Sequence, residues 1–476
     1  MVTPLYTELK RHASKNPVSF HVPGHKYGQV FPQEALEDFA HILQLDATEI
    51  TGLDDLHNPS GPIAEAQSLA AELYKVEKTF FLVNGSTSGN LAMILACCEK
   101  DKPVLVQRNS HKSIISGIRL AGARPVFLSP KYDEELKVPT YVEQETIAEA
   151  IKQFPDAQAL ILTSPNYYGV SNDIHDAVEL AHENNIPVLV DEAHGAHFVL
   201  GSPFPRSAVE AGADVIVQSA HKTLPAMTMG SYLHVNSKFA DADRIAYFLS
   251  ILQSSSPSYP IMASLDLARA YLNELKTSEQ SLHDIFHSIE NFKNHISGID
   301  ELSIVTSKDQ YASFDPLKLT VKSTIGLSGF ELQGHLEASG IYTELADLQN
   351  VLLVLPLSNK QKTKFGYKPI KRSLFQNKRV KMPAINNPLV KISMLPLSYY
   401  QLNGYSKEAV SFQGAIGLLS GDAVIPYPPG IPLLMEGEKI TEGHIEEMKQ
   451  LIRGGARFQG SQMINEEKLA VYIKKR

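Results

Sequence analysis

The chain has 476 residues, 43% of them hydrophobic, with 44 basic against 52 acidic side chains and a formal charge of −8. That length predicts two or three domains, the acidic balance leaves no electrostatic footprint for nucleic acid, and no apolar run approaches the ~20 residues of a membrane span. Cys97 and Cys98 are adjacent in an apolar run, which excludes a disulfide framework, and charges interrupt residues 8–15 where a secretory signal would be apolar, so a cytoplasmic protein is expected.

A short helix is predicted over residues 3–14, with Pro4 in its first turn. The extended stretch FHVPGHK (20–26) follows. There Pro23-Gly24 marks a turn, and His21, Gly24 and His25 are candidates for a substrate pocket; both readings stay open. Asp46, Glu49, Asp54 and Asp55 lie close together. Helix capping or solvation is the favoured reading for each, with Asp54 and Asp55 the better candidates to line an entrance for a cation.

An alternation of strands and helices begins near residue 81. A short strand over 81–83 feeds Asn84-Gly85-Ser86-Thr87-Ser88-Gly89, and a helix runs from about 90 to 99. Small residues, free amides and hydroxyls at a helix start form a phosphate cradle, with Gly85, Ser86 and Thr87 as contacts. The run NGSTSG is neither GxGxxG nor GxxxxGK[ST], which argues against a dinucleotide or a P-loop. Strands follow at 103–107, 124–128 and 159–163. Asn109, Ser110 and His111 open a helix after the first. Ser164, after the third, is a weaker candidate to reach a cofactor's ring oxygen. A helix over 173–184 then leads back to the sheet. The pattern is that of a doubly wound α/β fold.

Two apolar runs, 187–190 and 215–217, read as buried parallel strands, and each ends in polar chemistry. The first ends at Asp191, Glu192 and His194; the second at Gln218, Ser219, His221 and Lys222. A carboxylate at one strand end and a lysine at the next suit pyridoxal 5′-phosphate. Its ring nitrogen takes the acid and its aldehyde forms a Schiff base with the amine. His194 would orient Asp191 or touch cofactor, and Ser219 and His221 would hold phosphate.

Beyond this point a strand over 231–235 precedes a hydroxyl cluster at 254–256, which composition alone reads as linker. A long helical pattern continues from about 268 through 296. Residues 315–321 and 351–357 look like strands of a second domain, with Glu344 and Asp347 as candidate substrate contacts. Residues 358–384 carry nine Lys/Arg and no acid; a solvated surface loop is preferred there over an anion site. The apolar run 427–432 and Glu438 follow, and the tail after 452 reads as two short strands.

Several motifs together resemble one family. They are FHVPGHK (20–26), GLDDLHNPSGPI (52–63), FLVNGSTSGN (81–90), QRNSHKS (107–113), VDEAHGAH (190–197), QSAHKTLPAMTMGS (218–231), QSSSPSYPIMASLD (253–266) and IPYPPGIPLLMEGE (425–438). The family is that of the Orn/Lys/Arg decarboxylases, in the short bacterial branch that lacks an N-terminal receiver-like domain. The resemblance implies a fold-type-I PLP-dependent large domain with a mostly parallel sheet, plus a smaller α+β C-terminal domain. It implies an N-terminal segment over 1–58, a cofactor domain over 59–290 and a C-terminal domain over 291–476. Lys222, Asp191 and His111 would be catalytic, with His111 stacked on the cofactor ring. Ser255 would reach the phosphate of a neighbouring subunit, implying at least a homodimer with shared sites. The implied reaction is decarboxylation of arginine, lysine or ornithine, with a place in polyamine metabolism. An aminotransferase needs the same lysine and aspartate, and a non-catalytic cofactor-binding protein is a third reading. No motif reads the far end of the substrate.

Overall fold

The first helix, Pro4–Ser14, starts where Pro4 predicts, and its opening amides find a distant acceptor. Leu5 N and Tyr6 N donate to Asp266 Oδ2 at 3.0 and 3.2 Å, and Arg269 donates to the other oxygen at 2.8 Å. Leu5 and Leu9 are buried beneath it, so this segment belongs to the body that carries Asp266. The computed structural model describes residues 1–236, 239–358, 390–427, 432–453, 455–459 and 462–475. They form two units, Met1–Cys97 with Ala181–Leu282, and Cys98–Leu180 with His283–Arg476.

In the first unit Val188–Asp191 and Val215–Gln218 run parallel, in the register Leu189 with Val215 and Asp191 with Val217. Every residue of both is buried, as the unbroken apolar runs predict. Ser231–Val235 lies antiparallel to Val215–Gln218, and Lys78–Leu82 antiparallel to Ser231–Val235. The strand expected at 81–83 is thus longer and starts earlier. Its helix also starts earlier, at Gly85 rather than 90, because Gly85 takes φ +76° and turns the chain at once. That helix, Gly85–Cys97, crosses the sheet at Gly89. A Cβ there would stand 2.7 Å from Leu82 Cδ1 and 3.0 Å from Val217 Cγ1, so a larger residue would force those side chains to shift.

Asp54 is a helix cap. Its carboxylate accepts from the amides of Asp55, Ser60, Gly61, Ile63 and Ala64 at 2.7–3.2 Å, closing the start of helix Pro62–Tyr74. Burial works against its charge, but the row of backbone donors outweighs it and holds the carboxyl below its usual range. Asp55 accepts from His57 N at 2.8 Å. Asp54 therefore caps this helix, while Asp55 closes a local turn onto His57 N. Asp54→Ala is expected to cost about 2 kcal/mol, read as a lower melting temperature. The wild-type contribution is present above the ordinary carboxylate pKa and is lost as pH falls through the depressed one.

In the second unit Leu160–Thr163, Pro103–Gln107 and Arg124–Leu128 are parallel neighbours, and Ile392–Met394 joins Arg124–Leu128 antiparallel. Leu302–Ile304, Lys318–Ser323, Asn350–Val354 and Leu345–Ala346 make a separate antiparallel sheet. Tyr405–Ser411 pairs along its length with Lys468–Lys474, and Arg457–Gln459 pairs with Ile425–Tyr427, giving the two tail strands expected. The single long helical pattern resolves into Tyr259–Thr277 and Glu279–Ser297. Asp347 is half-buried and spent on a turn: it accepts from Gln349 N and Asn350 N at 2.7 Å, from Asn350 Nδ2 at 2.9 Å, and from the Tyr168 hydroxyl. Glu344 is exposed, its amide bonded to Leu352 O. The basic stretch 359–384 and residues 428–431 lie outside the described residues. Among those described, no helix is long and apolar enough to cross a membrane, and no cluster of His, Cys, Asp and Glu is arranged for a metal ion.

Candidate active site

Parallel pairing brings the carboxyl ends of Val188–Asp191 and Val215–Gln218 to one edge of the first unit, the usual ligand position in an open α/β sheet. The pairing continues past the strands: Glu192 N donates to Val217 O at 2.9 Å and Ser219 N to Ala193 O at 3.3 Å. Asp191 and the Ser219–Lys222 segment are therefore held side by side.

Asp191 is buried. Its Oδ2 accepts from Asn90 Nδ2 at 3.0 Å and its Oδ1 from Ala193 N at 3.3 Å. Donors on both oxygens fix the rotamer. Lys222 sits on the short helix Ala220–Thr223, with Nζ 3.0 Å from Nε2 of the buried His194. His194 therefore faces the lysine, not Asp191. An ammonium on Lys222 would donate to that ring nitrogen and place the His194 proton on Nδ1. His221 is anchored on both sides of the chain. Its amide and its Nδ1 both bond Gly230 O, at 3.1 and 3.0 Å, which fixes the Nδ1–H tautomer.

The helix Gly85–Cys97 presents the first amides of Gly85, Ser86 and Thr87 without intrahelical acceptors. Gly85 and Ser86 are half-buried and Thr87 is exposed. Gln253 ties the strand before this cradle to the hydroxyl turn: its Oε1 accepts from Val83 N at 2.8 Å. Ser255 is exposed on that turn, beside Ser254, whose carbonyl bonds His57 Nε2 at 2.9 Å. Ser219 Oγ and Thr223 Oγ1 are buried and have no hydrogen-bond partner among the described residues. Orphaned hydroxyls cost free energy unless a ligand satisfies them. Two such hydroxyls, an amide-rich helix start, a buried carboxylate and a primary amine fit pyridoxal phosphate.

His111 and Ser164 belong to the second unit. His111 caps helix Lys112–Ala121: Nδ1 accepts from Ser113 N at 3.3 Å and lies 2.8 Å from Ser113 Oγ, so the proton of the neutral ring is on Nε2. The residues before it, Gln107 to Ser110, are all buried. Gln107 Nε2 donates to Asn109 Oδ1 at 2.8 Å, and Arg108 pairs with Glu438 at 2.7 Å. Glu438 also accepts from Met435 N at 2.9 Å, so the IPYPPGIPLLMEGE motif is tied to the His111 loop by an ion pair. Ser164 is buried. In the first unit, His25 bonds Asp46 Oδ2 at 3.1 Å and His21 bonds the Tyr27 hydroxyl at 3.2 Å.

Sequence reasoning did not assign Asn90, Gln253 or Glu192. Asn90 lies inside a quoted motif, but its partner is 101 positions away, and only the fold brings them together.

Comparisons with known proteins identify the family. The profile described as the Orn/Lys/Arg decarboxylase major domain matches residues 3–363, and that of the C-terminal domain matches 380–462. YaaO, an uncharacterized protein of Bacillus subtilis (strain 168), is 50% identical over 479 residues, covering 99% of both chains. Arginine decarboxylase of the same organism is 36% identical over 474 residues, covering 96% of this chain and 95% of that one. Among solved structures, the Francisella novicida lysine decarboxylase LdcF superposes with a TM-score of 0.81 at 19% identity, over 100% of this chain and 81% of its own, a likeness of fold. The chain belongs to the Orn/Lys/Arg decarboxylase family of amino acid decarboxylases, in both its major and its C-terminal domain.

Proposed function

We propose that the protein removes the α-carboxyl group of a basic amino acid, arginine, lysine or ornithine, as carbon dioxide, using pyridoxal 5′-phosphate. The observation that carries this reading is the pairing of Asp191 with the Lys222 segment at one strand edge, beside the orphaned Ser219 and Thr223 hydroxyls. When bound, the cofactor supplies a protonated ring that accepts the electrons left by carboxylate loss. The protein's own groups divide the remaining work. Gly85, Ser86, Thr87, Ser219 and His221 would hold phosphate, joined by Thr223. Asp191, oriented by Asn90, would face the ring nitrogen. Lys222 would anchor the cofactor covalently, and its amine would serve as a proton donor to the α-carbon. His194 Nε2, 3.0 Å away, holds or takes the lysine's proton. By resemblance to the family, His111 would cover the ring face.

The exposed Ser255 supports a homodimer in which this turn reaches the neighbour's phosphate. A cytoplasmic location, a role in polyamine supply and the division near residues 58 and 290 complete the reading. Relatives at 33–36% identity include several arginine decarboxylases, which makes arginine the first substrate to try. The test is a product assay with purified protein, added cofactor and each of the three amino acids. Carbon dioxide and a single amine should appear without any keto acid. Keto-acid-dependent amino transfer, or no turnover with all three, would overturn the proposal.

A further inference from the structure

We propose that Glu192 is a positioning residue, holding the strand ends that carry Asp191 and Lys222 at one fixed separation through Gln218 and the Ser207–Ala208 turn. The inference rests on the roles given to Asp191 and Lys222 above and adds the device that keeps them in place.

Glu192 is buried, and three donors converge on it. Ala208 N reaches Oε1 at 2.6 Å, while Gln218 Nε2 and Ser207 Oγ reach Oε2 at 2.6 and 2.9 Å. A carboxylate only accepts, so the direction of the whole network follows. The Gln218 amide turns its NH₂ to Glu192 and its oxygen to His234 Nε2, 3.1 Å away. His234 Nε2 therefore donates, and His234 Nδ1 accepts from the Thr79 hydroxyl at 2.9 Å. One polarised row of hydrogen bonds thus runs from Lys78–Leu82 across Ser231–Val235 and Val215–Gln218 to the turn after Asp191.

The far end of the row lies beneath the reacting groups. Glu192 follows Asp191, and Gln218 precedes Ser219. The turn bearing His194 wraps the Glu192 side chain: Gly195 N donates to Glu192 O at 2.9 Å, and a Cβ on Gly195 would stand 2.6 Å from Glu192 Cγ. Loss of this hub would free the Asp191–His194 turn and the Ser219–Lys222 segment together.

Among the described residues no cation bonds the Glu192 carboxylate. Tyr74, from helix Pro62–Tyr74, is buried and donates to Ala196 O at 2.7 Å. His234, from the adjacent strand, is kept neutral by burial. Asp191 next to it is an acid. The Glu192 charge is therefore balanced by neutral donors alone, and burial pushes its carboxyl up to about 7 against those three hydrogen bonds. A carboxylate kept in this condition weakens the fold near neutral pH. That is the trade expected of a functional group, not of a structural one.

The test separates positioning from stability. Full-length wild type, Glu192→Gln and the exchange Glu192→Gln/Gln218→Glu are titrated with pyridoxal phosphate, followed by visible absorbance at pH 6 and pH 8.5, and melted without cofactor at both pH values. At pH 8.5, Glu192→Gln should bind at least tenfold more weakly than wild type while melting no lower. Wild-type affinity should fall towards the variant's as pH drops through 7, the variant's pH dependence should lack that step, and the exchange should recover part of the affinity. Unchanged affinity in Glu192→Gln, or affinity lost in step with melting temperature, overturns the positioning role while the proposed cofactor site stands. Failure of the wild-type chain to bind the cofactor overturns both.

Discussion

Replacement of Lys222 by alanine is expected to reduce carbon dioxide release by about 10⁴-fold or more, since it removes both the covalent anchor and a positioned proton donor. The same variant should lose the visible absorbance of the cofactor-bound protein. The fold should survive. Lys222 sits on a one-turn helix, Ala220–Thr223, whose backbone is held by His221 N to Gly230 O and Leu224 N to Ala220 O, and neither bond involves the lysine side chain. Alanine is the best helix former at such a position. The side chain is half-buried, and what its loss does inside the site is to take away the Nζ contact of His194. The comparison needs three readings on one preparation: turnover, absorbance and melting temperature. Turnover retained in the variant would remove the basis for the cofactor site. A collapse in melting temperature alongside lost turnover would show instead that the lysine is structural.

The positions of Asp191 and Lys222 were legible in the sequence because each ends an apolar run, and consecutive buried strands of an α/β chain tend to be parallel neighbours. The turn at Gly85 was legible as a strand-to-helix turn from its small and hydroxyl residues, though not where its helix begins. What could not be read was which polar groups meet behind the site. Glu192 lies in a motif whose catalytic member is the preceding aspartate, and its partners are 15, 16 and 26 positions away. Likewise, the acids at 54 and 55 carry no local mark distinguishing a cap from a substrate contact. The difference lies in the five amides that fold back onto Asp54 and in its φ of +72°. Asp347 misleads in the same way, as a carboxylate beside a strand whose ligands are its own turn and a tyrosine from a distant segment. Periodicity locates elements, but the pairing of buried polar groups is a property of the tertiary structure.

The buried row between Glu192 and His234 makes the second large prediction, because its two ends titrate with opposite sign. Burial lowers His234 from its ordinary 6.5 to about 3. Folding therefore excludes a proton that the unfolded chain binds, so the His234 contribution is present above pH 6.5 and is lost as pH falls towards 3. Between pH 7 and pH 5 that loss is about 2 kcal/mol. Glu192 behaves the other way. Its folded value of about 7 lies above the ordinary 4.5, so its contribution is present below pH 4.5 and is lost as pH rises through 7. Acidification from pH 7 to pH 5 returns about 2 kcal/mol. In the wild-type chain the two nearly cancel. Each single substitution should unmask the other: Glu192→Gln should lose about 2 kcal/mol relative to wild type between pH 7 and pH 5, and His234→Gln should gain about as much. Urea unfolding of the three proteins at both pH values, each variant referenced to wild type at the same pH, removes every other titrating group from the comparison. Variants that both track wild type within about 0.5 kcal/mol would mean that neither group changes its proton affinity on folding in the way its burial requires. Opposite slopes would show that this interior holds a carboxylate and an imidazole whose proton costs offset each other, the stability that His234 loses in mild acid being returned by Glu192.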